Sequence, residues 1–276
     1  IRVLNSTNGQ GERLHTRFLH LSAASKAAVL QLDPIADAEE YNVLLHADGD
    51  ANTWDDAAFL TALRESDNPS ATRLATRIEN LQVLDWELWS RGGESANDIV
   101  DTRPRATVLD LGGFTHPVEP QVAALSLLEH LWANREQRRP VLIVIDEAHN
   151  LCSPEPTTAV ERALTAQIIQ IAAEGRKFGL WLLLSTQRPT KIHPNVLSQC
   201  DNLCLMRMNA PRDLAELADV FGFVPEELLA SSSEFKQGQA LFAGGFIEAP
   251  TITQMGARLT EEGGSDVEVP LRKRLV

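Results

Sequence analysis

Several kinds of residue and motif are scarce or missing in this sequence. It has only three cysteines, Cys152, Cys200 and Cys204, an odd, sparse set that excludes a disulfide scaffold and predicts a reducing, cytoplasmic location. It has no run of about 18 apolar residues, so we expect no membrane-spanning segment. No basic and then apolar leader precedes a small-residue cleavage site, so we expect no secretion signal.

Positive charge is also in short supply. The 276 residues contain 25 Lys and Arg against 38 Asp and Glu, a formal net charge of −13. This excess repels nucleic acids and anionic lipids on average, so such a partner would need a local basic surface. Hydrophobic residues at 43% and charged residues at 23% are typical of a globular protein. The first residue is Ile1 rather than Met, which suggests a processed, trimmed or partly observed piece of a longer protein.

The second half of the chain predicts an α/β fold. Short apolar runs at 106–111, 141–145, 180–184 and 203–208 are separated by helical patterns, of which 120–135 and 158–174 are the longest. Strands that are apolar on both faces and separated by helices indicate a mostly parallel, doubly wound sheet covered on both sides. Short elements at 212–221, 225–231 and 239–242 complete it.

The segment 34–103 predicts a helical insertion between strands. One apolar stripe at helical spacing runs through Leu74, Ile78, Leu81, Leu84 and Leu88. Pro69 suits the first turn of that helix, and the glycines at 92 and 93 suit its end. Trp54, Trp86 and Trp89 share the helical spacing with the leucines, which favours core packing over base stacking.

The strongest chemical signal is a pair of acids, Asp146 and Glu147, directly after the apolar run 141–145. In α/β sheets ligands bind beyond the carboxyl ends of the strands. There Asp146 could hold Mg²⁺ or its water shell, and Glu147 could polarise an attacking water. The alternative is that Asp146 caps the following turn and Glu147 is merely solvated.

Two further segments add to this signal. Gln187 follows the run 180–184 and could hydrogen-bond the same water or a terminal phosphate, or it could be an ordinary turn residue. Arg176 lies in the turn 174–179, where a helix carboxyl end attracts cations. It could instead be an arginine finger that reaches the nucleotide of the next subunit.

Taken in order, these segments resemble the HerA/FtsK-type branch of the additional-strand P-loop ATPases, which have a RecA-like sheet. The matching segments are 108–112, 141–151, 174–179, 185–189, 194–201 and 207–213. The resemblance implies ATP and Mg²⁺ as cofactors, with Asp146 holding Mg²⁺ through water and Glu147 activating water. It also implies that Gln187 contacts the γ-phosphate and that Arg176 acts across the interface of a hexameric ring. Double-stranded DNA and a nuclease are the partners that it suggests.

The phosphate-binding loop of that family is missing. None of the 16 glycines is followed by Lys-Ser or Lys-Thr, and the Gly-rich stretch 8–11 has no lysine. We therefore expect the P-loop strand, loop and helix to lie upstream. The family's sheet places that strand centrally, so its absence would leave unpaired ladder groups and bare apolar faces. The 276 residues alone should show weak or no ATP hydrolysis.

This interpretation divides the chain into four segments. Residues 1–33 would be a strand and loop after the P-loop helix, and 34–103 the helical insertion. Residues 104–245 would be the ATPase core with its Walker B and sensor motifs, and 246–276 a carboxyl-terminal extension.

Other residues are open to more than one interpretation. His193, Cys200 and Cys204 lack a fourth metal ligand at plausible spacing, which favours core cysteines over a zinc site. His149 could orient Glu147, or it could cap or pack.

Two basic clusters are equally open. One, at Arg135, Arg138 and Arg139, lies at the end opposite the nucleotide edge and could face DNA in a ring or be a solvated loop. The other, at 272–274, could brace a neighbouring subunit or be a tail.

Three functions are therefore compatible with the sequence. The first is an ATP-hydrolysing motor like the HerA-type DNA translocases and helicases. The second is a conjugation or secretion ATPase that moves protein, and the third is a non-catalytic interaction module with a degenerate ATPase fold. The intact acid pair together with Gln187 argues against the third.

Overall fold

The computed structural model describes residues 1–6, 11–47, 56–257 and 259–260. The chain forms two compact units, residues 1–200 and 201–276. The boundary between them lies inside the predicted ATPase core 104–245, and the four predicted segments stay predictions. Trp54, the loop residues 8–10 and the basic cluster 272–274 lie outside the described residues.

The first unit contains five strands and eight helices among its described residues. The strands are β1 (Arg2–Asn5), β2 (Glu12–Arg13), β3 (Thr107–Leu109), β4 (Val141–Ile145) and β5 (Leu180–Leu184). The helices are α1 (Ala23–Val29), α2 (Ala38–His46), α3 (Asp56–Glu65), α4 (Pro69–Asn80), α5 (Ala96–Asp101), α6 (Glu119–Ala133), α7 (Ala159–Glu174) and α8 (Pro194–Leu197). The strands predicted in this part of the chain are confirmed, and β2 is an addition to them.

Strand pairing in this unit is parallel. One sheet has the order β2–β1–β3, with Leu4 opposite Leu109, and the other pairs β4 with β5, with Ile145 opposite Leu184. The α/β class with a mostly parallel sheet is confirmed. Helix α7, which precedes β5, begins at a reciprocal capping box in which Thr158 and Glu161 bond each other's backbone N–H groups.

The helices between α2 and α5 share a core with the sheet of β1 and β3. Leu4 of β1, Phe59 of α3, Ile78 of α4 and Val122 of α6 belong to one buried apolar cluster. The described helical part of segment 34–103 is therefore built into the same core as the strands rather than standing apart from it.

The long helix predicted from Pro69 to the glycines at 92 and 93 is wrong in its second half. Helix α4 ends at Asn80, and Gln82 adopts a left-handed conformation with φ of 52° that turns the chain. Leu88 is nevertheless fully buried, because irregular backbone also directs apolar side chains inward. Core packing of Trp86 and Trp89 is confirmed, since their rings stack with centroids 5.8 Å apart.

The sheet of β4 and β5 is covered on one face. Helix α7 packs against β5, and Ile145 and Leu180 are buried. On the other face Leu142, Val144, Trp181 and Leu183 expose 60%, 59%, 44% and 47% of their surface. The prediction of helices on both sides is therefore wrong for these two strands as described, whereas the expected bare apolar face is present.

The second unit is an antiparallel sheet with two helices in its described part. It comprises β6 (Asn202–Leu205), α9 (Pro211–Val220), α10 (Glu226–Ala230), β7 (Gln239–Gly244) and β8 (Thr251–Gln254), with strand order β6–β7–β8. The apolar run 203–208 thus ends as a strand at Leu205 and pairs with β7 antiparallel, not with a parallel neighbour. Within the described ranges no helix combines the length and apolarity that crossing a bilayer requires.

Candidate active site

The candidate site lies where β4 and β5 end together. Ser185 donates its N–H to the Ile145 carbonyl at 2.9 Å, and Ala148 donates its N–H to the Ser185 carbonyl at 2.9 Å. These bonds join Ser185, the first residue after β5, to the last residue of β4 and to Ala148, three residues beyond it. The acid pair and the segment 185–187 therefore leave the sheet at the same edge, as the sequence predicts for side chains that follow neighbouring parallel strands.

The backbone of Glu147 is left-handed, with φ of 47° and ψ of 45°. This conformation costs a non-glycine residue about 1–2 kcal/mol and persists only where the surroundings impose it. Asp146 contributes by accepting the Glu147 N–H at 3.0 Å through Oδ1. A single-turn 3-10 helix, Ala148–Asn150, follows and is held by the Ala148–Ser185 bond.

Gln187, in the loop that follows β5, orients the Glu147 carboxylate. Gln187 Nε2 donates to Glu147 Oε1 at 3.0 Å. The other oxygen, Oε2, is shielded from solvent and lies 3.2 Å from His149 Nδ1, outside hydrogen-bond geometry. The structure thus brings together Asp146, Glu147 and Gln187, three of the four predicted site residues.

His149 lies between the two loops of the site. Its Nδ1 is 3.2 Å from Thr186 Oγ1 as well as from Glu147 Oε2. Thr186 Oγ1 also accepts the Arg188 N–H at 3.0 Å, which fixes the turn that carries Gln187. In the sequence Thr186 has no distinguishing signal except its place beside Gln187.

Arg176, the fourth predicted residue, is not brought to this edge. It lies in the 3-10 turn Gly175–Phe178, which precedes β5, whereas Gln187 follows β5. Five strand residues span roughly 16 Å, so Arg176 and the acid pair lie at opposite ends of the strand. The turn itself needs its glycine, because a Cβ on Gly175 would lie 2.8 Å from the Leu180 carbonyl oxygen.

The cysteines form no metal site in the described residues, where no group of three or more His, Cys, Asp or Glu could hold an ion. His193 instead caps α8 by accepting the Asn195 N–H. Cys152 is buried, and burial raises the pKa of its thiol to about 11. Cys204 is exposed because it lies on the outward face of β6, so its assignment to the core is wrong.

The residues at this edge fit one half of a Mg²⁺–nucleotide site. Asp146 is exposed and offers the hard oxygen donors that Mg²⁺ prefers. Magnesium commonly takes one or two carboxylates, with water and substrate phosphates completing its shell, so a single acid beside Glu147 is sufficient. The other half, a glycine-rich cradle with its lysine, is not encoded in the 276 residues.

No protein-family model matches the chain. Among curated proteins, the DNA double-strand break repair helicase HerA of Sulfurisphaera tokodaii is 28% identical over 182 residues, which cover 62% of this chain and 36% of that protein. The protein of the same name from Sulfolobus acidocaldarius is 32% identical over 127 residues, covering 46% of this chain and 25% of that protein. The chain therefore matches only about a third and a quarter of these relatives' lengths.

Among solved structures, VirB4 of Thermoanaerobacter pseudethanolicus superposes with a TM-score of 0.61 at 15% identity, covering 94% of this chain and 77% of that one. At this identity the likeness shows the fold alone. The relatives share sequence with this chain, and the solved structure shares its α/β architecture. Together with the order of the motifs, these findings show that the chain is related to the HerA/FtsK-type P-loop ATPases.

Proposed function

We propose that this chain carries the water-activating half of an ATP-hydrolysing, HerA-like DNA translocase or helicase. The observation that supports this most directly is the left-handed Glu147, whose carboxylate is held by Gln187 at 3.0 Å beside Asp146. Strained residues are frequent at functional sites, and the Glu147 carboxylate lies within hydrogen-bond distance of Gln187 in the loop that follows β5.

Each residue of the site then has a distinct role. Mg²⁺-bound ATP supplies a γ-phosphoryl group that is open to in-line attack by water. Asp146 would hold Mg²⁺ through water. Glu147 would accept a proton from the water that attacks the γ-phosphorus while the bond to the leaving ADP breaks. Gln187, already hydrogen-bonded to Glu147, has an uncharged amide that can contact both that carboxylate and a terminal phosphate.

Arg176 would act on a neighbouring subunit. It lies at the opposite end of β5 from the acid pair, so it reaches a phosphate only when two copies pack head to tail. Repetition of such a contact closes a ring, for which we propose six subunits. In that arrangement Arg176 would stabilise the charge of the transferred group of the next subunit.

The experiment compares ATP hydrolysis by the 276-residue chain with hydrolysis by the same chain preceded by a strand, P-loop and helix. The chain alone should show weak or no Mg²⁺-dependent turnover, because it lacks the phosphate cradle. The extended protein should turn over ATP, and Glu147→Gln and Gln187→Ala should each abolish most of it. Glu155→Gln, a change of an exposed acid in the nearby loop, is the matched control and should retain activity.

Double-stranded DNA separates the alternatives. DNA-stimulated turnover supports the translocase, whereas turnover indifferent to DNA supports a motor that moves protein. A folded extended protein without turnover would show a non-catalytic module. Robust turnover by the 276 residues alone would contradict the expected need for a P-loop.

A further inference from the structure

The loops that precede three strands of the first unit carry a concentration of positive charge. The loops before β3, β4 and β5 together form a surface that we call the basic ridge. Its cations are Arg103, Arg105, Arg135, Arg138, Arg139, Arg176 and Lys177. The ridge lies at the amino ends of these strands, whereas the candidate active site lies at the carboxyl ends of β4 and β5. Arg176 keeps the role proposed above, and the other six cations have none there.

The three loops of the basic ridge are joined to one another. Arg103 donates from Nη2 to the Pro140 carbonyl at 3.1 Å, which ties the first loop to the second. Val141 donates its N–H to the Gly179 carbonyl at 2.9 Å, which ties the second to the third. Residues distant in sequence therefore form one continuous surface.

Part of the ridge is held by specific contacts. The Arg135 guanidinium lies 4.5 Å from the centre of the Trp132 ring and 5.3 Å from that of Phe178, a cation–π arrangement. Arg103 and Arg138 both have left-handed backbones, with φ of 61° and 48°, which exposed arginines adopt only where neighbouring structure imposes it.

The ridge is unusual in a chain of net charge −13. The segments 101–105, 134–140 and 174–179, which comprise these loops and the ends of α5 and α7, contain seven cations and three acids, Asp101, Glu136 and Glu174. All the cations except Arg135 are exposed. A positive surface on a negatively charged protein selects and orients an anionic partner, because approach from other directions is repelled.

We propose that the basic ridge binds the phosphate backbone of double-stranded DNA. Guanidinium groups bind phosphates in two-point contacts, and backbone contacts supply sequence-independent affinity. Single strands are held in addition by exposed aromatic rings. The two rings of the ridge, Trp132 and Phe178, pack edge to face with centroids 5.7 Å apart and lie against Arg135, which favours a duplex. The choice of DNA among polyanions rests on the proposed function.

The test uses fluorescence anisotropy to measure duplex binding by the 276-residue chain in the absence of nucleotide. The probe is a fluorescein-labelled duplex of about 30 base pairs, roughly three helical turns. The ridge variant changes Arg103, Arg105, Arg138 and Arg139 to Gln and leaves Arg135 and Arg176 intact. Each lost phosphate contact should reduce the slope of log K against log salt by about 0.9. We therefore expect a slope smaller by about 3 to 4 and an affinity at least about tenfold lower at moderate salt.

A matched control separates the ridge from overall charge. The variant with Arg91, Arg162, Arg212 and Lys236 changed to Gln loses the same four charges from exposed positions outside the ridge. Its affinity should stay within about twofold of the parent, because distant charges are screened. If the control loses as much affinity as the ridge variant, overall charge explains the binding and the proposal is wrong.

Three other results would overturn the proposal. They are the absence of salt-dependent duplex binding by the parent chain, tighter binding of a single strand, and self-association without DNA that only the ridge variant loses. The last would make the ridge a contact between copies of the chain. If the fourfold variant does not fold, Arg138→Gln and Arg139→Gln singly should each reduce the slope by about 1.

The duplex-binding test and the ATPase test of the proposed function can fail independently of each other. Hydrolysis by the P-loop-extended protein, measured without DNA, should be the same with and without the ridge substitutions. If the extended protein binds the duplex but does not hydrolyse ATP, the proposed ATPase activity is refuted and the proposed DNA binding by the ridge is still supported.

Discussion

At Glu147 the backbone and the side chain have opposite requirements. The left-handed backbone, with φ of 47°, is one that glycine adopts without strain, whereas the proposed chemistry requires a carboxylate. In this backbone conformation the Glu147 side chain reaches Gln187, so the hydrogen bond between them accompanies the backbone strain. Function and stability should therefore respond in opposite directions to substitution here.

Replacement by Gly and by Ala separates the two effects. Both remove the carboxylate, so any difference between them reports the backbone alone. Glu147→Gly should be more stable than Glu147→Ala by about 1 kcal/mol, as measured by urea unfolding of the 276-residue chain. At Glu155, which is not among the residues with positive φ, Gly should be less stable than Ala by about 0.5–1 kcal/mol. If the Gly variant is less stable than the Ala variant at position 147 as well as at position 155, the Glu147 backbone is not strained.

A second residue with a marked environment is Asp98, at the start of α5. Arg17 donates to Asp98 Oδ1 at 2.9 Å, and the Ser95 N–H donates to Oδ2 at 2.8 Å. Burial alone raises the pKa of Asp98, but the hydrogen bonds from Arg17 and Ser95 outweigh it and lower the pKa from 3.8 to about 2. This carboxylate fixes α5 to the segment that follows β2.

The depressed pKa predicts how stability depends on pH. A carboxylate whose pKa is lower in the folded state stabilises the protein fully above its unfolded pKa, and this contribution disappears as the pH falls through the folded value. The parent should therefore exceed Asp98→Asn in stability at neutral pH, and the difference should vanish between about pH 4 and pH 2. The urea unfolding midpoints of the parent and of Asp98→Asn, measured from neutral pH down to about pH 2, test this prediction. A difference that is constant with pH would mean that Asp98 acts through packing rather than charge.

At the scale of elements, β4 and β5 present an apolar face to solvent. Leu142, Val144 and Leu183 alternate with residues that pack on the covered side. Exposed apolar surface of this kind promotes association with other apolar surfaces.

Substitution of that face should reduce association at little cost to folding. The variant Leu142→Thr, Val144→Thr and Leu183→Thr should bind less of the apolar dye ANS and sediment with less concentration dependence than the parent. Threonine keeps strand propensity, so stability should change little. Leu180→Thr, at a buried position of the same strand, should cost at least about 2 kcal/mol. Equal losses of stability for the two variants would show that the open face is in fact packed.

The elements that the sequence predicts well are those whose determinants are local. The capping box of Thr158 and Glu161 fixes the start of α7, and the uninterrupted apolar run fixes β5. The end of α4 is different, because the left-handed turn at Gln82 interrupts an apolar stripe that continues unchanged in the sequence. The antiparallel pairing of β6 also depends on β7, whose register with β6 leaves no local signal.

At the scale of the whole molecule, the site and the basic ridge differ in how far sequence can predict them. Asp146, Glu147 and Gln187 meet because parallel strands end at one edge, which is a rule of topology. The ridge combines residues from three loops, and its joining bond from Arg103 to Pro140 depends on tertiary structure. A sequence pattern reveals only its central part, at Arg135, Arg138 and Arg139.

The first compact unit should fold without the second. Its buried cluster includes residues from β1, α3, α4 and α6, all within residues 1–200. We expect a fragment of residues 1–200 to show a single cooperative urea transition by circular dichroism. A fragment of residues 1–157 should not, because it lacks α7, which packs against α1 and α6. A non-cooperative transition for residues 1–200 would show that the unit depends on the rest of the chain.

The open face of β4 and β5 also contains its own optical probe. Trp181 is 44% exposed there, whereas Trp86 and Trp89 are buried. An indole that loses contact with water emits at shorter wavelength. Binding of a helix, a subunit or a ligand to this face should therefore shift the tryptophan emission maximum to shorter wavelength. Trp181→Phe should remove that shift. Coverage of this surface can be followed in real time without attaching a label.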